Sequence, residues 1–352
     1  MFSRLTRARR LLDFQSVLQR RRMLPIRAAF YDNLWRSAAS DLGAEVEVAR
    51  LGLIRIRRDG LVTHVQRSNL PLDDALTSLV ISDKLFCYES FLARDLPVPR
   101  HAAFTLTELG QAEAFLARIG QAAVVKPLAG TGGGMGVTTG VIDKAGLHRA
   151  ARYAAGFGPN LLIEEEVSGP SYRLLYLDGQ FIDAIRRDPP SVTGDDKHSI
   201  GQLVGRENRR RLAPPVTALS PLRIDSDMKN TLARAGLSLA YRPAKGERLV
   251  VKGAVNENTA SDNHSVKGIV HHDIVRRIGD LVQAMAIRFA GVDLIGGDLT
   301  RPLGECGSVI NEVNVNPGIH HHMLVRDPAI AVPVPLLILE HLFEERTGVM
   351  MP

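Results

Sequence analysis

Apolar and polar residues alternate with a period of two in short segments near the start of the chain. Glu45–Val48 and residues 53–57 follow this pattern, and Arg58-Asp59-Gly60 separates the second segment from residues 61–63. Such alternation places successive side chains on opposite faces of a strand, and an Asp-Gly pair favours a turn. This part of the chain therefore predicts a small α/β unit with short strands.

Helical and strand patterns succeed one another in the rest of the chain. Residues 82–93 are predicted to be a helix with Ser82 and Asp83 as candidate caps, and residues 71–80 before it a linker. Two more helices are predicted, over 107–119 and 272–290. Strands are predicted over 122–126, 161–163, 292–295 and 309–313, and a hairpin of 172–177 and 180–185 across Asp178-Gly179. This succession predicts a mixed α/β fold.

Length and composition limit the class of protein. A chain of 352 residues is long enough for about two domains, and 45% hydrophobic with 23% charged residues is typical of globular proteins. The strongest apolar run, residues 329–339, contains two prolines and is shorter than the ~20 residues that a spanning helix needs. Two cysteines, Cys87 and Cys306, cannot form a disulfide framework, and no apolar targeting segment follows the Arg-rich start. We therefore expect a cytoplasmic protein without a membrane span.

The net charge of +6 is concentrated at the N-terminus. Thirteen arginines and five acidic residues precede residue 59, while the remainder has 31 basic and 33 acidic residues. An amphipathic helix is predicted here from apolar residues flanked by arginines: Leu11, Leu12, Phe14, Val17 and Leu18 beside Arg4, Arg7, Arg9, Arg10 and Arg20–Arg22. A solvated helix face explains this arm, with contact to a polyanion or an acidic membrane surface as the alternative. We do not expect nucleic acid to be the main partner.

Residues 130–136 form a glycine cluster, with five glycines in seven positions. Such a segment allows successive backbone N–H groups to wrap an anion. No Lys-Ser or Lys-Thr follows it, and Met135 and Val137 stand where a dinucleotide fingerprint needs glycine, so it is neither of those two phosphate loops. Lys126, at the end of a predicted strand just before the loop, adds a cation at the same edge.

Oxygen-bearing side chains cluster near the other end of the chain. Glu312 and Asn314, two residues apart on a predicted strand, point to the same face, and Asp298 from a neighbouring strand could complete an all-oxygen site. Hard oxygen donors suit Mg²⁺, which commonly bridges substrate phosphates. Carboxylates beside an Asn-Pro turn also have purely structural roles, so the prediction depends on the loop and the acids occurring together.

Together these features resemble the ATP-grasp superfamily, in particular the ATP-grasp module of cyanophycin synthetase and its relatives. The resemblance covers about residues 82–325 and rests on six short motifs in the family's order, at 82–84, 124–134, 162–173, 189–200, 291–294 and 311–318. It implies an α/β (α+β) ATP-grasp fold, with two α+β lobes around an ATP cleft. The glycine-loop lobe would span residues 81–160 and the Mg²⁺ and phosphate lobe 161–352, after a small N-terminal α/β domain and Arg-rich arm over 1–80.

The resemblance also implies roles for individual residues. The nucleotide-binding set would comprise Lys84, Lys126, Gly130, Thr131, Gly132, Gly133, Gly134, Gly136, and Glu164, Glu165, Glu166 and Val167 as the hinge that meets adenine. The ligands of one or two Mg²⁺ ions would be Asp298, Glu312 and Asn314. Residues acting on the transferring phosphoryl group and the acyl-phosphate would be Arg173, Arg187, Lys252 and Asn256.

The implied reaction is amide formation by an acid–amino-acid ligase. A substrate carboxylate attacks the γ-phosphate of ATP, and an amine displaces phosphate from the resulting acyl-phosphate, so no enzyme nucleophile is needed. The substrates would be amino acids or small peptides, and a dimer or tetramer is the default expectation. The alternatives are a phosphotransferase or carboxylase on the same fold, and a nucleotide-gated binding module for a polyanion or a precursor peptide.

The substrate side departs from the family pattern. Ser171 stands where an acidic ribose contact is usual, and Asp196 replaces a glycine. No Mur-ligase-like module follows in this chain, so we expect a single-addition ligase.

The run His320-His321-His322 cannot ligate one ion if it lies on a strand, because strand side chains alternate between faces. We expect instead that one of these histidines lines the amine or carboxylate pocket.

Overall fold

A long helix and a small antiparallel sheet form the N-terminal part of the structure. The computed structural model describes residues 14–351. Helix α1 (Phe14–Asp41) precedes the three-stranded sheet of β1 (Glu45–Val48), β2 (Ile54–Arg58) and β3 (Leu61–Val65), joined in that order. These strands confirm the period-two prediction. The predicted arm before residue 14, with Arg4, Arg7, Arg9 and Arg10, lies outside the described residues.

The second unit contains the glycine-rich loop between two strands. Its elements are β4 (His101–Phe104), α4 (Leu109–Ile119), β5 (Ala123–Pro127), β6 (Thr138–Val141), α5 (Lys144–Ala154) and β7 (Leu161–Glu165). Helices α2 (Ala75–Ile81) and α3 (Lys84–Leu92) precede it in the chain, and their buried residues pack mainly in an apolar cluster with residues 172–313. The four strands pair antiparallel in the order β4-β7-β5-β6, and α4 and α5 pack on them around a core that includes Phe115, Val125 and Leu147.

The predicted linker over residues 71–80 is wrong, because most of it is helix α2. The side chain of Asp74 caps this helix by accepting a hydrogen bond from the backbone N–H of Thr77 at 2.6 Å. Leu76 and Leu79 of α2 are each 67% exposed. The helix therefore lacks the buried apolar stripe on which a prediction from periodicity depends.

The third unit is built on a five-stranded antiparallel sheet of order β12-β9-β8-β13-β14. Its elements are β8 (Ser171–Leu177), β9 (Gln180–Arg187), β10 (Ser191–Thr193), α6 (Ile200–Arg210), α7 (Ser226–Arg234), β11 (Arg248–Val250), β12 (Asn263–Ser265), α8 (His272–Ala284), β13 (Phe289–Ile295), β14 (Val309–Val315), α9 (His320–Met323) and α10 (Val334–Glu344). The short 3₁₀ helices are Arg50–Gly52, Ala260–Asp262, Lys267–Ile269 and Pro328–Ile330.

The predicted helix over 272–290 is too long. Helix α8 ends at Ala284, and Ala286 has a left-handed backbone with φ of 53°. The chain then enters β13 at Phe289, which is fully buried in the sheet.

Helix α1 is anchored on the third unit. Tyr31 and Trp35 are buried in one apolar cluster with residues of β8, β13 and α10, among them Leu175, Phe289 and Ile338. This packing holds the helix beside the end of β14, where it borders the functional site. Of the helices within residues 14–351, none combines the length and the apolar character needed to cross a membrane.

Candidate active site

Four adjacent strands of the five-stranded sheet place polar side chains on one face. In the pairing register, Asp293 of β13 lies opposite both Arg173 of β8 and Glu312 of β14, and Ser171 of β8 lies opposite Arg187 of β9. Directly opposed residues of antiparallel strands share a face, and so do residues two apart, which adds Asn314 to the group. The sheet therefore gathers two guanidinium groups, two carboxylates and an amide.

Asp293 is the centre of this group. Its carboxylate is buried and accepts hydrogen bonds from Nε and Nη2 of Arg173, the latter at 2.8 Å, while Nη2 of Arg187 lies 3.1 Å from Oδ1. Burial opposes ionisation of Asp293, but the two guanidinium groups outweigh it and hold its pKa below the ordinary value. Asp293 is therefore a fixed carboxylate at neutral pH.

Arg187 has hydrogen-bonding capacity that the protein does not use. Besides Asp293 it contacts Ser171, to whose Oγ its Nη2 donates at 2.9 Å. Its Nε and Nη1 are buried and have no hydrogen-bond partner among the described residues. Buried donors are normally paired, and a guanidinium fork matches the oxygens of a phosphate. The site therefore fits a phosphoryl group at this position.

A cavity of about 480 Å³ lies between the second and third units, next to this group. This volume is in the range of small-molecule sites, roughly 300–1,000 Å³. Most of the predicted nucleotide-binding residues line this first cavity: Lys84, Lys126, Thr131, Gly132, Gly133, Gly134, Glu164, Glu165, Glu166 and Val167. Gly130 and Gly136 do not reach its wall. Arg187, Asp293 and Glu312 line it as well.

Lys126 is held by a buried network at one end of the first cavity. Its Nζ lies 2.7 Å from Oε1 of Glu164 and 3.4 Å from both Oη of Tyr88 and Oδ1 of Asn311. The Tyr88 hydroxyl lies 2.9 Å from both Oε2 of Glu164 and the carbonyl oxygen of Asn311. Burial and the neighbouring Glu164 raise the pKa of Tyr88 well above its ordinary value, so it remains a neutral donor. Sequence reasoning missed Tyr88, although it lies one helical turn after Lys84.

The hinge segment after β7 is fixed by ion pairs on its outer side. Oε2 of Glu165 lies 2.7 Å from Nε of Arg100, and Oε2 of Glu166 lies 3.0 Å from Nη1 of Arg234. These pairs fix the side chains of two of the predicted hinge residues while their segment lines the cavity. This arrangement agrees with recognition of a ligand through the backbone of the segment.

The predicted metal ligands are only partly brought together. Glu312 and Asn314 lie on one face of β14, and Nζ of Lys84 is 3.7 Å from Oε1 of Glu312. Nδ2 of Asn314 is buried and has no hydrogen-bond partner in the part of the chain that the structure describes. No group of three or more His, Cys, Asp or Glu side chains within residues 14–351 is arranged as a metal site. The carboxylates of Asp293 and Glu312 and the amide oxygen of Asn314 nevertheless fit Mg²⁺, which takes few protein ligands when it also binds phosphates.

Asp298 does not join Glu312 and Asn314. It lies beyond the end of β13, is exposed, and its Oδ1 accepts hydrogen bonds from the backbone N–H and hydroxyl of Thr300 at 3.0 and 2.7 Å. It is therefore a turn-capping residue. Asp293, five residues earlier, occupies the position opposite Glu312 that the sequence analysis assigned to Asp298.

The glycine-rich loop lies close to Asn256. Gly134 has a left-handed backbone with φ of +68°, and a Cβ there would lie 2.8 Å from Nδ2 of Asn256. Nη2 of Arg223 donates to the carbonyl oxygen of Gly133 at 3.0 Å. The loop is thus hydrogen-bonded to the third unit through Arg223 and lies against Asn256, a close approach that Gly134 permits.

Lys252 does not line the first cavity. It is buried, with its Nζ 2.6 Å from Oδ2 of Asp225 and 3.0 Å from Oε2 of Glu257. Glu257 also accepts from the side chain of Arg223 and from its backbone N–H at 2.8 Å. Lys252 therefore positions Glu257 and Arg223 under the loop, and the direct contact with a phosphoryl group expected from the sequence is not supported.

A second cavity of about 500 Å³ adjoins the first and shares Gly132, Gly133, Met135 and Asn256 with it. Arg173, Asn314, His320 and His321 line the second cavity, together with residues of α1. The expected strand geometry of the three histidines is wrong, because they form the short helix α9 after Pro317-Gly318. His322 points elsewhere: it is buried, with Nδ1 2.7 Å from Oδ2 of Asp183.

His320 is a neutral donor or acceptor on the wall of the second cavity. Its Nδ1 lies 3.0 Å from the hydroxyl of Tyr31 on α1. Burial, with the positive charges of Arg27 and Arg173, lowers its pKa to about 3. His320 and His321 thus line a cavity, and their expected place in an amine or carboxylate pocket stays a prediction.

Comparison with known proteins identifies relatives over most of this chain. No protein-family model matches. The chain is 27% identical over 234 residues to a cyanophycin synthetase of Trichormus variabilis, covering 66% of this chain and 26% of that protein. It is 27% identical over 270 residues to the glutathione biosynthesis bifunctional protein GshAB of Mannheimia succiniciproducens, covering 74% and 35%. The chain thus spans about a quarter to a third of these relatives.

A solved structure shares the fold. The crystal structure of a bifunctional glutathione synthetase from Pasteurella multocida superposes with a TM-score of 0.52 at 21% identity, covering 86% of this chain and 42% of that one. The sequence relatives and the shared fold agree with the motifs that surround the first cavity. The chain therefore has the ATP-grasp fold that its motifs predict, and its sequence resembles cyanophycin synthetase and the bifunctional glutathione biosynthesis proteins.

Proposed function

We propose that the chain is an ATP- and Mg²⁺-dependent ligase that joins a carboxylate to an amine, the substrates being amino acids or small peptides. The observation that carries this proposal is the meeting of two cavities at one polar sheet face. The first cavity has a glycine loop and buried lysines, the second is rich in arginine, and the group around Asp293 lies between them. A nucleotide and an acid substrate bound in the two cavities would meet at this group.

The first cavity would hold ATP. Lys84 and Lys126 provide buried positive charge, and the loop over Gly132–Gly134 offers backbone N–H groups for the phosphates. The segment from Glu164 to Val167 would bind adenine through its backbone. Since Lys126 is already oriented by Glu164 and Tyr88, little reorganisation of this cation is needed on binding.

Asp293, Glu312 and Asn314 would hold Mg²⁺. The metal would neutralise phosphate charge and orient the transferred group. Arg173 and Arg187 both touch Asp293, so their guanidinium groups lie where negative charge would accumulate. The unpartnered N–H groups of Arg187 would donate to the phosphoryl oxygens.

The reaction would proceed by attack of the substrate carboxylate on the γ-phosphate, which gives an acyl-phosphate and ADP. An amine would then displace phosphate to form the amide bond. The chain's own residues would orient the substrate carboxylate near Arg173 and Asn256 and stabilise the negative charge on the phosphoryl group. No nucleophilic side chain is required. Cys87 agrees with this, since burial raises the pKa of its thiol to about 12.

The names of the relatives support this reaction class. They are a cyanophycin synthetase and bifunctional glutathione biosynthesis proteins, and their similarity to this chain includes the motifs that line the first cavity. Because the chain spans only part of these proteins, its own substrates must be inferred from the residues that line the second cavity rather than from the relatives.

The test is incubation with ATP, Mg²⁺ and mixtures of carboxylates and amines. We expect ADP and phosphate release that requires both partners, with an amide product detected by mass spectrometry. The variant Glu312→Gln should lose about 100-fold or more of this turnover, because it removes a metal ligand. The matched control Glu305→Gln, at an exposed residue paired with Arg301, should retain it.

Two outcomes would contradict the ligase. A stable phosphorylated product without an amide would indicate a phosphotransferase. Nucleotide binding without turnover for every carboxylate and amine pair would indicate a binding module.

A further inference from the structure

Helix α1, which lies before the region of the ATP-grasp motifs, forms one wall of the second cavity. Arg20, Met23, Leu24 and Arg27 of this helix line the cavity, opposite residues that follow β14. The helix is held in place by the apolar cluster around Tyr31 and Trp35, and by the contact of Tyr31 with His320. Part of the cavity lining thus comes from outside the nucleotide-binding lobes.

The second cavity is strongly positive. Four guanidinium groups, those of Arg20, Arg27, Arg173 and Arg223, share its wall with one carboxylate, Glu257. Glu257 is already engaged by Arg223 and Lys252, and Arg173 is engaged by Asp293. The guanidinium groups on this wall therefore outnumber its carboxylates, and two of them, Arg20 and Arg27, come from α1.

Arg27 is the best-defined part of this excess charge. Its Nε is buried and has no hydrogen-bond partner among the described residues. Its neighbours Tyr31, which is hydrogen-bonded to the Arg27 side chain, and His320 are both neutral: burial raises the pKa of Tyr31, and burial, with the charge of Arg27, lowers the pKa of His320 to about 3. A buried guanidinium donor without a partner is unfavourable unless an anion arrives, and a carboxylate fits its planar fork.

We propose that the acid substrate carries a second carboxylate, and that Arg27 binds it. This inference rests on the proposed function: one carboxylate reacts beside Arg173 and Asn256, and the other lies against α1. A cavity of about 500 Å³ has room for a dicarboxylic amino acid or a short acidic peptide. Arg27 is then a specificity-determining residue, and it selects diacids over their amides.

The experiment compares acids with their amides as substrates and as ligands. The probes are L-aspartate, L-glutamate, and dipeptides that end in these residues, each against the matching asparagine or glutamine compound. For the diacids that are substrates, we expect kcat/KM to exceed that of the matching amide by about 10- to 100-fold, because the amide loses a hydrogen bond between charged groups. Arg27→Gln should remove this preference by raising KM for the diacid, with kcat and the amide's kcat/KM little changed.

Two further variants make the result specific. Arg27→Lys keeps the charge without the planar fork and should restore part of the preference. Arg22→Gln, at an exposed arginine on the same helix, should leave it unchanged. Thermal unfolding of each variant verifies folding.

The proposal is overturned if no diacid in the panel is preferred to its amide, or if the preference survives in folded Arg27→Gln. Direct calorimetric binding of the same probes, with ATP and Mg²⁺ present, separates this from failure of the ligase proposal. Diacid binding that depends on Arg27 without amide formation would retain the second-carboxylate site and reject the reaction.

Discussion

Asp293 lies directly opposite Glu312 across β13 and β14, with both side chains on the face of the sheet that borders the two cavities. Asp293 is bound by two arginines, whereas Glu312 has Lys84 at 3.7 Å and is 29% exposed. The two carboxylates therefore differ in what their removal does. Loss of Glu312 affects mainly bound ligands, while loss of Asp293 also leaves buried cations unpaired.

Replacing Asp293 with Asn should therefore affect both activity and stability. We expect turnover to fall by about 100-fold or more. The free energy of unfolding should fall by about 3–5 kcal/mol, since breaking a buried ion pair leaves Arg173 and Arg187 uncompensated. ADP release and denaturant unfolding measure the two effects.

Asp298→Asn is the matched control for this prediction. Asp298 is exposed, and an asparagine keeps the side-chain oxygen that accepts from Thr300. Turnover should stay within about twofold of the native value, as for most surface substitutions. The opposite pattern, with Asp298→Asn inactive and Asp293→Asn active, would mean that Asp298 is the metal ligand, as predicted from the sequence.

The choice between these two aspartates shows where sequence reasoning stopped. Both lie near the end of one strand, and only the pairing register shows that Asp293 lies opposite Glu312 while Asp298 caps a turn. Lys126, the hinge and most of the glycine loop do line one cavity, because local patterns at strand ends bring them together, whereas Gly130 and Gly136 do not reach it. The position of Lys252 could not be predicted, since its partners Asp225 and Glu257 come from separate loops.

Contributions from distant segments were also beyond sequence reasoning. The role of α1 depends on packing of Trp35 against the third unit, and no periodic pattern predicts which partner a helix face meets. The β8–β9 hairpin, in contrast, was predicted, because the Asp178-Gly179 turn joins two largely apolar segments.

Tyr88 connects Lys126 to the rest of its network, so Tyr88→Phe should weaken nucleotide binding. Removing the hydroxyl leaves Lys126 paired with Glu164 but without its contact at 3.4 Å, and it removes the single O–H donor that Glu164 and the carbonyl oxygen of Asn311 share. We expect the free energy of unfolding to fall by about 1–2 kcal/mol and the Kd for ATP to rise up to about 10-fold. Calorimetric titration and denaturant unfolding measure these changes.

Tyr241→Phe, which removes a hydroxyl from a residue that is 39% exposed, is the control and should change neither quantity. Unchanged ATP affinity in folded Tyr88→Phe would mean that Glu164 and Asn311 orient Lys126 without the hydroxyl.

Stability should decrease below neutral pH because of the histidines beside the second cavity. The pKa of His320 is lowered from an ordinary value of 6.5 to about 3, and that of His321 is also lowered. As the pH falls from 6.5 towards 3, the unfolded chain binds protons that the folded chain excludes, so the free energy of unfolding decreases. His320→Gln should reduce this slope by up to about 1.4 kcal/mol per pH unit.

Urea unfolding at several pH values between 7 and 4 measures the slope. The exposed His272 provides the control, and His272→Gln should keep the slope of the native chain. An unaltered slope in His320→Gln would show that His320 becomes protonated in the folded protein.

The glycine loop offers a test of why glycine is needed at one of its positions. In Gly134→Ala, the methyl group would meet Nδ2 of Asn256 at 2.8 Å, and the backbone φ of +68° would be strained by about 1 kcal/mol. Gly132→Ala introduces neither problem, because its backbone is not left-handed and a Cβ there has no atom within 4 Å. We expect Gly134→Ala to raise KM for ATP by about 10-fold and Gly132→Ala by about threefold or less. Equal losses in the two variants would mean that the loop tolerates no side chain anywhere, and that the contact with Asn256 is not the feature that shapes it.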